Sequence, residues 1–219
     1  MKLWTRTTAG ALALVFSASG CSSLNNTQKG AIIGAGGGAA VGAIAGAKLG
    51  STAKGAIVGA AVGGVAGAAI GARMDRQAKE LAMDIEGARV ERVGEGIAVT
   101  FDSGLLFDYN SDVVKGASRE NLTSLANSLK KYNDTDLMIV GHTDDIGSDS
   151  FNQGLSERRA RAARTFLMSQ GIASDRIRIA GRGESEPIAE NTSDAGRSQN
   201  RRVEVAIFAS EELRRSVSN

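Results

Sequence analysis

The chain has 219 residues, with 26 Lys and Arg against 24 Asp and Glu, one His, one Cys, one Pro and 28 Gly. So even a balance gives no electrostatic case for a nucleic-acid partner, and an aromatic content of 4% leaves little material for base stacking. A lone Cys excludes an intramolecular disulfide and a Cys-rich zinc site; a lone His excludes a His-based metal cluster and a second catalytic imidazole.

Lys2 and Arg6 precede an uncharged apolar run, Ala9 to Ser17, which has the length of a signal-peptide core and is too short to span a bilayer. The run closes on Ala18-Ser19-Gly20-Cys21, followed by the polar stretch Ser22 to Gln28. Residues 1–20 therefore read as an export signal that resembles a bacterial lipoprotein signal. The resemblance implies cleavage before Cys21, a diacylglycerol on its thiol and acylation of the new N-terminus. Ala18 departs from the Leu, Val or Ile common at that position, and the alternative is a buried free Cys in a helix. Residues 1–20 carry Lys2 and Arg6 but no acid, so the remainder has equal numbers of basic and acidic side chains and a basic-surface argument fails.

After the linker 21–28, residues 29–72 form a glycine ladder. Gly30, Gly34, Gly38, Gly42, Gly46 and Gly50 recur every fourth residue, and the ladder resumes at Gly55, Gly59, Gly63, Gly67 and Gly71. Lys29-Gly-Ala-Ile-Ile-Gly-Ala returns as Lys54-Gly-Ala-Ile-Val-Gly-Ala, so the ladder is an internal repeat. In water each Gly costs a helix roughly 1 kcal/mol against Ala, whereas in lipid small residues at this spacing let helix backbones approach closely. Residues 30–50 would make a helix about 31 Å long, and 55–71 a shorter one. The expectation is a glycine zipper of two helices and a tight turn that enters the membrane as a hairpin. A flexible Gly/Ala spacer is the alternative. If both Cys21 and the C-terminal domain are periplasmic, the number of membrane crossings is two or zero.

From Arg73 the composition is ordinary. Met74, Ala78, Leu81 and Ile85 predict a short amphipathic helix, and Val90–Val93 with Ile97–Phe101 around Gly94-Glu95-Gly96 predict a β-hairpin, so 73–96 is a connecting helix and strand. Ser118–Lys131 reads as a helix and Leu137–Val140 as a buried strand. Ser156–Gln170 reads as a second helix capped by Ser156, and Ile177–Ala180 and Val203–Phe208 as strands. The class is α+β: a mixed sheet of βαβαβ type, with at least one parallel pair and helices on one face. Residues 209–219 form a tail.

The chemistry gathers where the strand ends. Gly141-His142-Thr143-Asp144-Asp145-Ile146-Gly147 is followed by Asn152, Leu155-Ser156 and Arg158-Arg159-Ala160. Downstream come Gly181-x-Gly183, Pro187-Ile188, Asn191 and Asn200-Arg201-Arg202-Val203-Glu204-Val205. In order and spacing these motifs resemble the OmpA-like peptidoglycan-binding domain over residues 97–208. With the lipobox and glycine zipper, the whole chain is similar to the YiaD-like lipoproteins. The resemblance implies an OmpA-C-like fold in which Asp144 and Arg159 clamp the diaminopimelate of the cell-wall stem peptide. Asn152, Asn110 and Arg201 would line the pocket, and the alternative for Arg202 is a structural role. The chemistry suits the ligand, since an amino-acid zwitterion needs an acceptor-only carboxylate beside a forked donor. Arg159, read as lying near a helix N-terminus, would gain from free backbone N–H groups there.

Other readings of the same residues are weaker. His142 with Asp144 and Asp145 makes a poor metal set, so no metal and no cofactor are expected. Arg158, Arg159, Arg161 and Arg164 spread around their helix as a solvated face. The adjacent Asp144 and Asp145 cannot easily flank one glycosidic bond, so a wall hydrolase is disfavoured and no enzyme is expected. The resulting expectation is a lipid-anchored tether between the outer membrane and peptidoglycan, its C-terminal domain in the periplasm; the inner membrane is the alternative location. The rival is an oligomeric glycine-zipper membrane assembly, a homo-oligomer that the wall-binding domain merely positions.

Overall fold

The computed structural model describes Gly46 and residues 50–108, 110–116 and 118–218. The signal segment, Cys21 and most of the first half of the ladder lie outside the described residues. In chain order the elements are α1 (Thr52–Gly59), α2 (Gly64–Asp84), β1 (Ala88–Val93), β2 (Gly96–Asp102), α3 (Ser103–Leu106) and α4 (Ser118–Lys131). They continue with β3 (Thr135–Gly141), α5 (Asp149–Ser169), a 3-10 turn (Ser174–Arg176), β4 (Ile177–Gly181), α6 (Asp194–Asn200), β5 (Arg202–Ala209) and α7 (Glu211–Ser218). The sheet order is β1-β2-β5-β3-β4; β3 and β4 are parallel and the other neighbours antiparallel. This is the mixed α+β sheet expected from the pattern.

Alternation along the strands divides the core in two. Ile97, Val99, Phe101, Leu137, Ile139, Ile177, Ile179, Val203, Val205 and Ile207 face the larger layer. Against them pack Ile70, Met74 and Leu81 of α2, Leu122, Leu125 and Leu129 of α4, and Ala160, Ala163 and Leu167 of α5. Burying an aliphatic side chain of this size contributes about 1.5–3 kcal/mol, so this face supplies most of the drive to fold. The tail is not loose: α7 lays Leu213 and Val217 on the same core.

The opposite face holds the main departure from expectation. Ala98, Met138, Val140, Ala180, Ala206 and Phe208 are covered by Ala53, Ala56, Ile57 and Ala60, the inner stripe of α1 and its C-cap. Part of the second half of the ladder is thus a helix lying on the sheet, which therefore carries helices on both faces. Nor does 55–71 form one helix. The chain breaks at 60–63; Gly63 at the end of the break and Gly64 at the start of α2 take positive φ of 77° and 63°, and α2 then runs past the end of the ladder to Asp84. The Glu95 carboxylate closes the break, accepting 2.7 Å hydrogen bonds from the backbone N–H groups of Val62 and Gly63. No described helix is long and apolar enough to cross a membrane. The small residues instead permit close approach: a Cβ on Gly46 would lie 2.5 Å from the Cα of Gly55.

Candidate functional site

β3 and β4 run in parallel and in register, so Gly141 pairs with Gly181 and the loops that follow leave the sheet side by side. The Thr143 backbone N–H donates to the Gly183 carbonyl at 2.8 Å, joining the two loops. α5 crosses directly above. A Cβ on Gly141 would sit 2.2 Å from the Ser156 carbonyl oxygen, and one on Gly181 would sit 2.6 Å from Ser156 Oγ, so only glycine lets the helix come this close. The inward stripe of α5, which includes Asn152, Ser156 and Arg159, is thereby lowered onto the strand ends.

The helix begins earlier than Ser156. Its cap is Ser148, whose hydroxyl accepts from the Phe151 N–H at 3.3 Å, with Asp149 in the first turn. Ser156 is a buried mid-helix residue that donates to the Gln153 carbonyl and accepts from the Gly183 N–H. This corrects the expectation for Arg159. It lies well inside the helix, the free N–H groups of the first turn belong to residues before it, and any anion it holds is held by its guanidinium.

Asp144, Arg159, Asn152 and Arg201 come together. Asp144 is only 6% exposed; its Oδ1 accepts from the Ile146 N–H at 3.2 Å and its Oδ2 from Arg201 Nη1 at 2.6 Å. Asn152 Nδ2 donates both to the Asp144 carbonyl, at 3.2 Å, and to Glu184 Oε2, at 2.6 Å. Arg159 is 3% exposed, and its guanidinium lies over the Phe107 ring, 5.5 Å from the centroid. Its Nε donates to the Ser111 carbonyl at 3.0 Å, and its two terminal nitrogens donate no hydrogen bond among the described residues. Burial lowers the Arg159 pKa from its usual value and Arg201 lowers it further, while Asp144 and Asp112 oppose the shift. The group is nevertheless a cation at any physiological pH.

Asn110 adjoins these residues through the chain, next to Ser111. It is exposed, takes a positive φ of 54°, a conformation Asn tolerates better than most residues, and makes no side-chain hydrogen bond among the described residues. Its neighbour Ser111 is the residue that touches Arg159. Arg158 and Arg161 are exposed, and Arg158 pairs with Asp112 at 3.2 Å. Asp145 is exposed while Asp144 is buried in its ion pair, so the two acids do not act as a pair.

His142 belongs to a second, closed cluster. Its ring is fully buried, 4.0 Å from a Glu186 oxygen and 3.8 Å from a Glu204 oxygen, and neither ring nitrogen is hydrogen-bonded. Both carboxylates are already claimed. Glu186 accepts from the Thr52 hydroxyl at 2.5 Å and the Thr52 N–H at 3.0 Å and pairs with Arg182 at 3.3 Å, while Glu204 accepts from Arg202 Nε at 2.8 Å. Desolvation, aided by Arg202 and Arg182, therefore prevails and holds the imidazole well below its ordinary pKa. Among the described residues no three His, Cys, Asp or Glu side chains are placed to hold a metal ion. Arg202, also donating to the Asn200 and Glu186 carbonyls, is part of the fold. Asn200 ties down the loop after β4 by accepting from the Ile188 and Ala189 N–H groups and donating to the Ala189 carbonyl and the Asn191 side chain.

Glu184 and Ser111 are members of the site that the residue pattern did not single out. Glu184 was within reach, because the residue after Gly181-x-Gly183 must emerge beside Asp144 once the two strands are parallel neighbours. Ser111 contributes only a carbonyl, which no side-chain pattern reveals.

Comparison with known proteins agrees with this fold. A sequence model of the OmpA family matches residues 106–201, and one of the YMGG-like Gly-zipper matches residues 1–75. The chain is similar to the lipoprotein YiaD of Escherichia coli, 38% identical over 121 residues that make up 55% of each protein. It is also similar to the outer-membrane lipoprotein YfiB of Pseudomonas aeruginosa, 37% identical over 115 residues, 52% of this chain and 68% of YfiB. It spans only 32% and 33% of the two outer membrane porins F that it also matches. Among solved structures, the cell wall anchor of the T6SS from Pseudomonas aeruginosa superposes with a TM-score of 0.57 at 31% identity, covering 63% of this chain and 99% of that one. A domain of that fold, carrying Asp144, Asn152, Arg159 and Arg201 at the ends of its parallel strands and preceded by a glycine zipper, places the chain in the OmpA family, among its OmpA-like lipoproteins.

Proposed function

We propose that residues 97–208 bind peptidoglycan noncovalently through the diaminopimelate of the stem peptide, and that acyl chains on Cys21 hold the protein in the outer membrane. The protein is then a non-enzymatic tether between membrane and wall, with its C-terminal domain in the periplasm. The observation that carries this reading is the convergence of Asp144, Asn152, Arg159 and Arg201 at one end of the sheet, with the terminal nitrogens of Arg159 uncommitted. A forked cation over an aromatic ring beside a hydrogen-bonded carboxylate suits the two poles of an amino-acid zwitterion. YiaD and YfiB are named as lipoproteins and the T6SS protein as a cell wall anchor, which supports the same reading. Ser22 after the Cys, where inner-membrane lipoproteins commonly carry Asp, favours the outer membrane.

Charge-assisted hydrogen bonds contribute roughly 1.5–3 kcal/mol each, so a single clamp would bind with a Kd on the order of micromolar to millimolar. Anchoring beside a polymer that repeats the ligand offsets this weakness through effective concentration. α1 spends part of the ladder on its own sheet, which favours a tether over a ladder-built membrane assembly.

The test is pull-down by purified peptidoglycan. Asp144→Ala and Arg159→Ala should each abolish retention while the circular dichroism spectrum stays native; retention unchanged in both variants rejects the assignment. Labelled palmitate followed by membrane fractionation checks the anchor, and a Cys21→Ser variant should take up no label.

A further inference from the structure

The residues that follow β4, 182–186, serve both charged groups at the strand ends. Arg182 and Glu186 reach the start of α1. Thr52 donates its N–H and its hydroxyl to the two oxygens of Glu186, at 3.0 and 2.5 Å, and its hydroxyl accepts from Arg182 Nε at 2.6 Å. Gly183 and Glu184 instead reach the pocket. The Gly183 carbonyl accepts from the N–H of Thr143, the residue before Asp144, and Glu184 accepts from Asn152 Nδ2. Gly183 takes a positive φ of 49°, and a Cβ there would lie 3.0 Å from the Gln153 nitrogen and 3.2 Å from the Asn152 carbonyl carbon, so the loop presses on the turn of α5 that carries Asn152. Ser185 leaves the loop little play, since its N–H and hydroxyl both donate to the Arg182 carbonyl, at 3.0 and 2.6 Å.

α1 itself is lightly held. Apart from Thr52 it meets the sheet through Ala53, Ala56, Ile57 and its C-cap Ala60, and alanine buries little apolar surface. Gly55 and Gly59 lower its helix propensity, and the chain on either side passes through Gly50 and Gly63 at positive φ of 90° and 77°. Such an element opens before the rest of the fold does. Opening strips the Thr52 donors from Glu186, which is only 3% exposed, and a buried carboxylate short of donors is driven toward water. Its loop must follow.

We propose that the docked start of α1 is a positioning element of the wall-binding pocket, in which Thr52, through Arg182 and Glu186, holds loop 182–186 in the shape that supports Asn152 and Asp144. Release of this part of the ladder from the sheet then loosens the grip on the wall. Linkage makes the effect mutual, so a bound wall fragment holds α1 down by the same factor. The inference rests on the wall-binding reading and adds a control to it: the ladder segment reports its own state to the site.

The experiment uses the mature chain in detergent micelles, under conditions in which every variant is folded. Affinity is measured by co-sedimentation with purified peptidoglycan. Thr52→Val, which keeps the shape and removes the hydroxyl, should weaken binding about fivefold or more, and Thr52→Ser should stay within about twofold of wild type. Amide hydrogen exchange supplies a readout that a merely structural role would not move. A soluble muropeptide released from peptidoglycan should slow exchange of the Thr52 N–H and the α1 amides in the wild type, and leave them unchanged in Arg159→Ala. Unaltered affinity in Thr52→Val, equal losses in the Val and Ser variants, or α1 amides indifferent to a bound muropeptide each overturn the inference. Failure of the wall-binding reading looks different: Arg159→Ala would then sediment with peptidoglycan as the wild type does, and the inference would fall with it. Loss in Arg159→Ala beside full retention in Thr52→Val rejects the role of α1 alone.

Discussion

Two groups of charge lie next to each other at the ends of β3 and β4, built from the same residue types. In the first, Thr52, Arg182, Glu186, Arg202 and Glu204 surround His142, and each carboxylate is claimed by a cation or by Thr52 donors. In the second, Asp144, Asn152, Arg159, Glu184 and Arg201 leave the terminal nitrogens of Arg159 and one oxygen of Glu184 without partners among the described residues. Presence of charge therefore does not distinguish the two groups; what does is that the second leaves charged atoms without partners among the described residues. The closed group cements the loop after β4 and the start of α1 to the sheet, while the open one keeps donors and an acceptor for something else.

The largest expected effect comes from opening the closed group. Arg202 is almost fully buried and holds Glu204 and two carbonyls, so Arg202→Ala leaves a buried carboxylate without its cation. Breaking one side of a buried pair typically costs about 3–5 kcal/mol. Urea unfolding should show a lower midpoint with an unchanged slope. Asp144→Ala, by contrast, leaves Arg201, whose side chain is 32% exposed, able to turn to water, and should cost far less stability than it costs binding. Equal losses of stability in the two variants would erase the distinction between the groups.

The pattern of residues gave the strands and a parallel pair because each has a local or spaced signature, whereas the pairing of Asp144 with Arg159 came only from the resemblance to the OmpA-like domain. The start of α5 was hidden because Asp149–Gly154 is mostly polar and contains Gly154, which reads as loop; what makes it helix is the Ser148 cap together with glycines on two strands that seat it. The placement of α1 was hidden for a similar reason. Every-fourth-residue glycine suggests helix against helix, yet the residues that meet the sheet are Ala53, Ala56 and Ile57, between the rungs. Glu184 looked ordinary because its role depends on a neighbouring strand rather than on its own surroundings in sequence.

Acid should separate the two groups next. The folded state keeps His142 neutral, with its pKa held well below 6.5 by burial, whereas in the unfolded chain the ring titrates near 6.5. Below that value the unfolded state binds a proton that the folded state refuses, so stability is flat above about pH 6.5 and falls as pH drops beneath it. The slope approaches 1.4 kcal/mol per pH unit. His142→Gln should flatten that part of the curve in urea titrations. Ligand binding by the open group, which contains no imidazole, should not follow that fall once the fraction unfolded is accounted for. A binding curve that follows the His142 stability curve in the fully folded protein would mean that the charge on His142 reaches the open group.

The smallest effect sharpens the boundary of the open group. Asn110 lies next to Ser111, whose carbonyl fixes Arg159, yet its own side chain is exposed and without a hydrogen bond among the described residues. Asn110→Ala should change peptidoglycan retention less than threefold and stability by no more than about 0.5 kcal/mol, the range of surface substitutions away from special contacts. Asn110→Val is the more demanding variant, because a β-branched residue resists the positive φ of 54°. It should disturb the path of Ser111 and hence the seating of Arg159. Weaker binding in the Val variant alone places the contribution of Asn110 in the backbone, whereas equal loss in both puts its amide among the groups that touch the ligand.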